Sequence, residues 1–413
     1  VSNEIADRKF LSEERFEWLI FFCCQLVFIG FVSSRALTSI GMMAILVLSL
    51  LHNGIPETFK KYFEQKQLVV LSVFFWIVFL SGIYSEDKTS WLNWVRIKLP
   101  YVALPLAFAS VRKLKEKKFI AMLYGFVITM FVSVVVVLVN YFINYETITE
   151  SFLRGNTMPM PFSHIRYTLM VAFAFFICLF LWHKRKFFLS ETENRLQVFI
   201  ALFLFVALHV LSVRSSLLAV YLGIFYLVLR YIFSGNKMAG TALLIGLITV
   251  PPVAVKFIPS LHNKLEYMHY DRMQFEKGEI NNLSDAVRVL SMQGAWQIGK
   301  RHWLLGVGAG DLKSEMENFY HLQYPQLPFT DHKLPHNEWL WVFATLGTVG
   351  LLLFAFAFFF SLFINENYRH SLLVMLYIII ASSFFTEATL EEQMGTGFFV
   401  LLLLLLLNQQ HHE

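Results

Sequence analysis

The sequence predicts an all-α integral membrane protein of about twelve transmembrane helices with one large, partly helical periplasmic loop, and three observations carry that prediction. Of 413 residues, 57% are hydrophobic and only 15% charged, against roughly 25% charged residues in a soluble domain. Apolar runs of about 17–25 residues recur from end to end, each long enough to cross about 30 Å of hydrocarbon as a helix. The basic residues gather in short loops between alternate runs. A net charge of +5 therefore reads as a topology signal and not as a nucleic-acid surface. No stretch shows the alternating strands, about ten residues long, of an outer-membrane barrel.

The runs fall at about 16–34, 36–52, 68–84, 91–109, 119–142, 164–182, 196–212, 214–233, 239–257, 337–363, 369–386 and 394–408. Acidic residues accompany the basic ones before the first run, and no small-residue cleavage site follows it, so it is expected to be a retained helix and not a signal peptide. In the fourth, Trp91 to Lys98 mixes aromatic and charged residues, which suits the membrane interface. With a cytoplasmic N-terminus, the internal loops hold Lys60, Lys61 and Lys66, then Arg112, Lys113, Lys115, Lys117 and Lys118, then Lys184, Arg185, Lys186 and Arg195. The positive-inside rule then sets the orientation. The expected organisation is a bundle of about nine helices over 1–256, a periplasmic loop with catalytic elements over 257–336, and about three helices with a short cytoplasmic tail over 337–413.

From Phe257 to Pro335 there are eight Lys and Arg against nine Asp and Glu, so no generally basic groove is expected there and selected charges must carry any anion binding. Ser284-Asp285 reads as the cap and first turn of a helix through about Ile298, with Val287, Leu290, Ala295 and Ile298 spaced for a buried face. Cys23, Cys24 and Cys178 lie in apolar runs and read as small hydrophobes; neither a disulfide framework nor a zinc spacing is present. The acidic residues of the loop are scattered and no Asp-x-Asp pair occurs, so neither a metal nor a cofactor is expected.

Three blocks carry chemistry. Arg214 stands in Ser212-Val213-Arg214-Ser215-Ser216, between two long apolar runs joined by almost no loop. A guanidinium at that depth is either functional or a snorkelling side chain. It suits a lipid diphosphate, which it can grip through two parallel hydrogen bonds. Arg288 opens Arg288-Val289-Leu290-Ser291 and leads to Trp303-Leu304-Leu305-Gly306-Val307-Gly308-Ala309-Gly310-Asp311. No strand precedes these glycines as a nucleotide loop would require, so a tight turn or close backbone packing is the better reading. His336 stands in Pro335-His336-Asn337-Glu338-Trp339-Leu340, where the loop re-enters the membrane. Such an imidazole is either a proton acceptor at a cavity mouth or an interfacial residue beside a Trp anchor. Arg166, in Ser163-His164-Ile165-Arg166-Tyr167, is a further phosphate candidate, whereas His164 reads as structural. Glu387, Glu391 and Glu392 read as a solvated turn in preference to an acidic base.

In this order the blocks are similar to the O-antigen ligase and polymerase superfamily: an arginine opening a span after a very short outer loop, an arginine helix leading through Trp303 to a Gly-x-Gly-x-Gly turn, and His336-Asn337 before Leu346-Gly347-Thr348-Val349-Gly350. The resemblance covers about residues 200–360. It implies that Arg214 and Arg288 hold a donor diphosphate and that His336 acts as, or next to, the catalytic base. Arg166, Asn337, Trp303, Gly308 and Gly310 would contact substrate. The implied protein is a multi-pass inner-membrane glycosyltransferase with a periplasmic active site. It would move a glycan from undecaprenyl diphosphate to an acceptor hydroxyl with inversion and without a metal. The lipid A core is the favoured acceptor; a growing glycan (polymerase) or a protein side chain (oligosaccharyltransferase) are alternatives. In many relatives the stretch around Arg166 reads more like Gly-x-x-x-Asn-Pro-Asn. A lipid-linked oligosaccharide flippase, the reading from another class, would show paired half-repeats and broken midplane helices, which the sequence does not.

Overall fold

The computed structural model describes residues 11–152, 156–186, 190–277 and 284–410, and every regular element among them is helical. Helices α1 (Glu13–Ser33) and α2 (Arg35–Asn53) form a hairpin about the extended Ser34. After α3 (Ile55–Glu64) the chain bends by 91° into α4 (Lys66–Leu71) and α5 (Val73–Ser81). Asp87 starts α6 (Lys88–Lys98), its carboxylate accepting the N–H groups of Thr89 and Ser90 at 2.9 Å each. Pro100, with no N–H to offer, separates α6 from α7 (Pro100–Phe108). Then follow α8 (Glu116–Ile143), α9 (Tyr145–Phe152), α10 (His164–Lys184), α11 (Glu193–Leu211), α12 (Arg214–Phe233) and α13 (Lys237–Phe257). The large loop holds α14 (Pro259–Glu276), α15 (Ser284–Arg301) and α16 (Leu312–Gln323), and α17 (Glu338–Phe363), α18 (Ser371–Ser383) and α19 (Gln393–Gln410) close the chain.

Among the described residues eight helices are long and apolar enough to cross a membrane, or nine if the bent stretch through α3, α4 and α5 is one span. The twelve runs of the sequence differ from this for local reasons. The 68–84 run belongs to that bent stretch, and the 91–109 run is two short helices broken at Pro100. The 369–386 run contains only the 13 residues of α18, about 20 Å of helix at 1.5 Å per residue. The last run is α19, among the shorter apolar helices, with Phe398 to Leu407 no more than 2% exposed. A helix apolar all round needs protein or lipid on every side, and α19 is surrounded by α2, α6, α7, α10 and α18. With α10 it makes the centre of the bundle, whereas α13 lies at the periphery.

Helix direction sorts the charges. The starts of α10, α12 and α17 and the ends of α11 and α18 meet at one end, beneath α14 and α15, tied by Ser212 to Ser260 and by Thr386 to Ser215. At the other end Lys186 pairs with Glu116, Lys118 with Glu17, and Arg230 donates to the Arg369 carbonyl.

The stretch read as one span over 337–363 is broken. Gly347 adopts φ 65° and ψ −166° inside α17, and residues 303–308 dock along the opening. The N–H groups of Val307 and Gly308 donate to the carbonyls of Ala344 and Thr345 at 3.0 and 2.8 Å, and those of Thr348 and Val349 to Trp303 and Leu304 at 2.7 and 3.2 Å. A Cβ on Gly347 would collide with the Leu304 carbonyl. The Leu-Gly-x-x-Gly motif thus marks the place where the loop returns to the bundle.

Candidate functional site

The turn between α11 and α12 is closed by Ser212, whose left-handed backbone (φ 55°) reverses the chain and whose hydroxyl donates to the Ser260 hydroxyl of α14 at 2.8 Å. Ser260 donates in turn to the Val210 carbonyl at 2.7 Å. Arg214 is therefore presented from a fixed helix start. Its guanidinium makes a two-pronged pair with Asp285, Nη1 to Oδ2 at 2.9 Å and Nη2 to Oδ1 at 2.5 Å. Helix α15 begins at Ser284, and the buried Asp271 of α14 accepts the N–H groups of Asp285 and Ala286 at 3.0 and 3.3 Å, so α14 orients the helix that carries Asp285 and Arg288.

Arg214, Asp285 and Arg288 line a cavity of about 270 Å³ with Lys264, His164 and Tyr267. Among the described residues three cations face one carboxylate there. Burial and the charges of Arg214 and Arg288 push the Lys264 ammonium down to about 8, with Asp285 opposing. Burial pushes the Asp285 carboxyl up, but the hydrogen bond and charge of Arg214 outweigh it and hold the group below the usual carboxylate range. An anion entering the cavity would meet more positive charge than negative, at fixed helix ends.

Beside the cavity stands the second group. The His336 backbone N–H donates to the Ser291 hydroxyl at 3.3 Å, which donates to the Arg288 carbonyl at 2.7 Å, so α15 holds both. Asn337 caps α17, its Oδ1 accepting the Leu340 N–H at 2.9 Å, while its Nδ2 donates to the Phe385 carbonyl at 3.3 Å. That bond brings the turn after α18 against His336, whose Nδ1 lies 3.0 Å from Glu387 Oε2. The ring's other nitrogen, Nε2, points away from the carboxylate. Burial raises Glu387, but the hydrogen bond and charge of His336 and the charges of Arg166 and Arg288 prevail and keep it below its ordinary value. His164 stands within electrostatic reach of Arg288, Lys264, Glu387 and His336, which joins the two groups into one site.

The sequence candidates thus divide. Arg214, Arg288 and His336 come together. Arg166 is 5% exposed and turned to the 386–392 turn: Nε and Nη2 donate to the carbonyls of Thr389 and Ala388 at 3.0 and 2.5 Å, and the group pairs with Glu387 and Glu392 at 3.6 and 3.4 Å. Trp303, Gly308 and Gly310 do not line the cavity. The Trp303 carbonyl accepts from Thr348, and a Cβ on Gly308, at φ 91°, would collide with the Ser85 hydroxyl, so this turn packs on residues 84–87. Its Asp311 accepts the N–H groups of Glu86 and Asp87.

The solvated-turn reading holds for neither Glu387 nor Glu391, whereas the Glu392 side chain is 37% exposed. Glu387 and Glu391 have side chains 12% and 5% exposed, both ion-paired, because Arg166 and Lys98 approach from α10 and α6. His164, read as structural, faces the cavity, and Lys264 was missed altogether. Only the alternation of Ser-x-x-Arg and Ser-x-Arg at the starts of α10 and α12 hinted that polar groups meet at this end. Among the described residues no three His, Cys, Asp or Glu side chains are arranged to hold a metal ion.

Residues 199–355 match the family model described as O-antigen ligase. The matched segment contains Arg214, Lys264, Asp285, Arg288 and His336, and excludes Arg166 and Glu387. No curated protein matches the chain.

Proposed function

We propose that this membrane protein, whose residues 199–355 support a place in the O-antigen ligase and polymerase superfamily, transfers a glycan from undecaprenyl diphosphate to an acceptor hydroxyl at the periplasmic face of the bacterial inner membrane, with the lipid A core as the acceptor. One observation carries the reading: a cavity holding Arg214, Arg288 and Lys264 opens beside an imidazole backed by a carboxylate.

The chemistry needs a place for the leaving diphosphate and a base for the incoming hydroxyl. The acceptor O–H gives its proton to His336 Nε2, and its oxygen attacks the anomeric carbon from the face opposite the diphosphate. The carbon–oxygen bond to phosphate breaks with its electron pair, and the departing charge falls to the guanidinium groups and the Lys264 ammonium. Inversion results. Glu387 holds Nδ1–H and offsets the positive charge that develops on the ring, the role a buried carboxylate takes behind a histidine base. His336 and Asn337 stand where the large loop re-enters the bundle at the start of α17, so the base would act close to the membrane surface, where a lipid headgroup lies. The orientation is supported by Lys113, Lys118, Lys184 and Lys186 gathering at the opposite end of the bundle.

The test is reconstitution of the full chain with an undecaprenyl-diphosphate-linked glycan and, in separate reactions, lipid A core, a second lipid-linked glycan, or a Ser-rich protein acceptor. Inverted product on the lipid A core, absent with His336→Ala in a folded, membrane-inserted protein, is the expected outcome. Product on either other acceptor moves the assignment to polymerase or protein glycosylation, and an undiminished His336→Ala removes the proposed base.

A further inference from the structure

At the start of α17 and in the 386–392 turn, the segments that carry His336 and Glu387, three charged side chains are buried together. Lys98 from α6 and Glu338 from the first turn of α17 are 0% exposed, and Glu391 is 6% exposed. Lys98 Nζ donates to Glu391 Oε1 at 2.5 Å and to the Leu390 carbonyl at 2.7 Å, over the Phe74 ring at 4.4 Å. Glu338 Oε2 accepts the Leu390 N–H at 2.9 Å. The two carboxyl groups face each other, with the Tyr101 hydroxyl of α7 near both, and among the described residues Glu338 Oε1 and Glu391 Oε2 have no hydrogen-bond partner.

Two carboxylates against one ammonium leave a surplus charge that a dry interior does not tolerate, and two bare carboxylate oxygens side by side repel. A single proton between Glu338 Oε1 and Glu391 Oε2 removes both difficulties: it gives each lone oxygen a partner and brings the triad to neutrality. We propose that Glu338 and Glu391 share one proton above Lys98, and that this triad is the positioning device that sets Glu387 against His336.

The second half follows from what the triad grips. Leu390 is held by its N–H through Glu338 and by its carbonyl through Lys98. Arg166 takes the two preceding carbonyls, those of Ala388 and Thr389, from the other side. Three consecutive carbonyls next to Glu387 are therefore held by buried cations. Glu338 lies two residues after His336, so the same triad anchors both partners of the pair. The charged groups that face Glu387 itself are His336, Arg166 and Arg288. Lys98, Glu338 and Glu391 act through the backbone and touch no substrate. This positioning role rests on the transferase reading of His336 and Glu387; the shared proton does not.

Infrared difference spectroscopy of the full chain in nanodiscs tests the proton. The parent is expected to show the carbonyl stretch of a protonated carboxyl group that persists at mildly alkaline pH and is lost in Glu338→Gln. A parent without such a band, or a band unmoved by Glu338→Gln, overturns the shared proton. Positioning is tested by Lys98→Met and by the double variant Lys98→Met/Glu391→Gln, which restores neutrality with a protonated Glu338. The single variant is expected to lower the thermal midpoint, to slow transfer by up to about 100-fold, as a displacement of about 1 Å at a reacting group does, and to change the shape of the pH–rate profile. The double variant is expected to recover midpoint and profile together. A Lys98→Met protein that is less stable but keeps the parental profile, or a double variant without recovery, overturns the positioning role. If the parent itself transfers nothing, the transferase reading fails, and the infrared result still decides the proton.

Discussion

Replacing Glu387 by Gln isolates the contribution of charge behind the proposed base. The side chain is 12% exposed and its Oε2 lies 3.0 Å from His336 Nδ1. An amide oxygen in the same place still accepts from Nδ1–H, so ring orientation and tautomer are kept and only the negative charge is lost. Hydrogen bonds to charged groups contribute about 1.5–3 kcal/mol and neutral ones about 0.5–1.5 kcal/mol, a difference of about 1–1.5 kcal/mol. At 1.36 kcal/mol per tenfold, Glu387→Gln is expected to slow transfer about 5- to 13-fold. Glu387→Ala loses the whole bond and is expected to slow it about 10- to 150-fold on the same scale. The assay is kcat/KM for glycan transfer in proteoliposomes, with thermal midpoints of the variants as the control for folding. Because Glu387 is held below its ordinary value, the parent keeps its charge through neutral pH and loses it only as the pH falls through that lowered range. The deficit of the Gln variant should therefore be constant near neutrality and shrink in acid. Parental rates for folded Glu387→Gln and Glu387→Ala at every pH would refute the idea that this carboxylate supports His336.

Three further outcomes follow from the same geometry. Lys264, pushed down to about 8, loses its proton as the pH rises past that value, so affinity for pyrophosphate measured by calorimetry should weaken above pH 8 and Lys264→Met should flatten the dependence; unchanged affinity across that pH would exclude Lys264 from the anion site. Asp285→Asn releases Arg214 from its two-pronged partner, so pyrophosphate should bind more tightly while the thermal midpoint falls, and weaker binding would mean that orientation of the guanidinium matters more than competition for it. Gly347→Ala puts a side chain in a backbone region occupied almost only by glycine and against the Leu304 carbonyl, which should destabilise by at least about 1–3 kcal/mol, read as a lowered thermal midpoint; a midpoint equal to the parent's would show that α17 straightens without loss.

The helical membrane class was legible because hydropathy over about twenty residues is a strong local signal, and so was the meeting of Arg214, Arg288 and His336, because each lies in a block whose order the O-antigen ligase resemblance supplied. The bends were not. Pro100 marks its break openly, but Gly347 looks like any glycine in an apolar run, and only the docked 303–308 strip explains why its backbone turns. Glu387, Glu391 and Lys98 were misread or passed over for another reason: their burial depends on side chains some 220 to 290 residues away in the chain, such as Arg166 at the Ala388 and Thr389 carbonyls and Lys98 at Leu390. No window of sequence contains both halves of such a contact. Lys264 was hidden similarly, since a lysine in a loop of near-zero net charge attracts no notice until α14 turns it toward Arg214 and Arg288.

Arg166 and Arg214 show why residue type at a helix start does not assign a role. Both follow a serine at the same end of the bundle, and a guanidinium offers five N–H donors in either place. What separates them is how those donors are already spent. Arg166 is 5% exposed and gives its fork to two carbonyls, the Ser163 hydroxyl and two glutamates, so a phosphate could bind it only by stripping the 386–392 turn of its anchors and loosening Glu387 from His336. Among the described residues Arg214 has one partner at its fork, Asp285, and its side chain is 40% exposed at a cavity that also holds Arg288 and Lys264. Among the described residues a diphosphate there has one carboxylate to displace or share with, Asp285, and it gains two further cations in doing so. The same reasoning separates the variants: Arg166→Lys keeps the charge but cannot hold two carbonyls in a plane, so its defect should appear first in the His336–Glu387 pair, as a changed pH–rate profile with an unchanged affinity for pyrophosphate. Arg214→Lys should do the reverse, and a loss of pyrophosphate affinity in Arg166→Lys equal to that in Arg214→Lys would return Arg166 to the anion site.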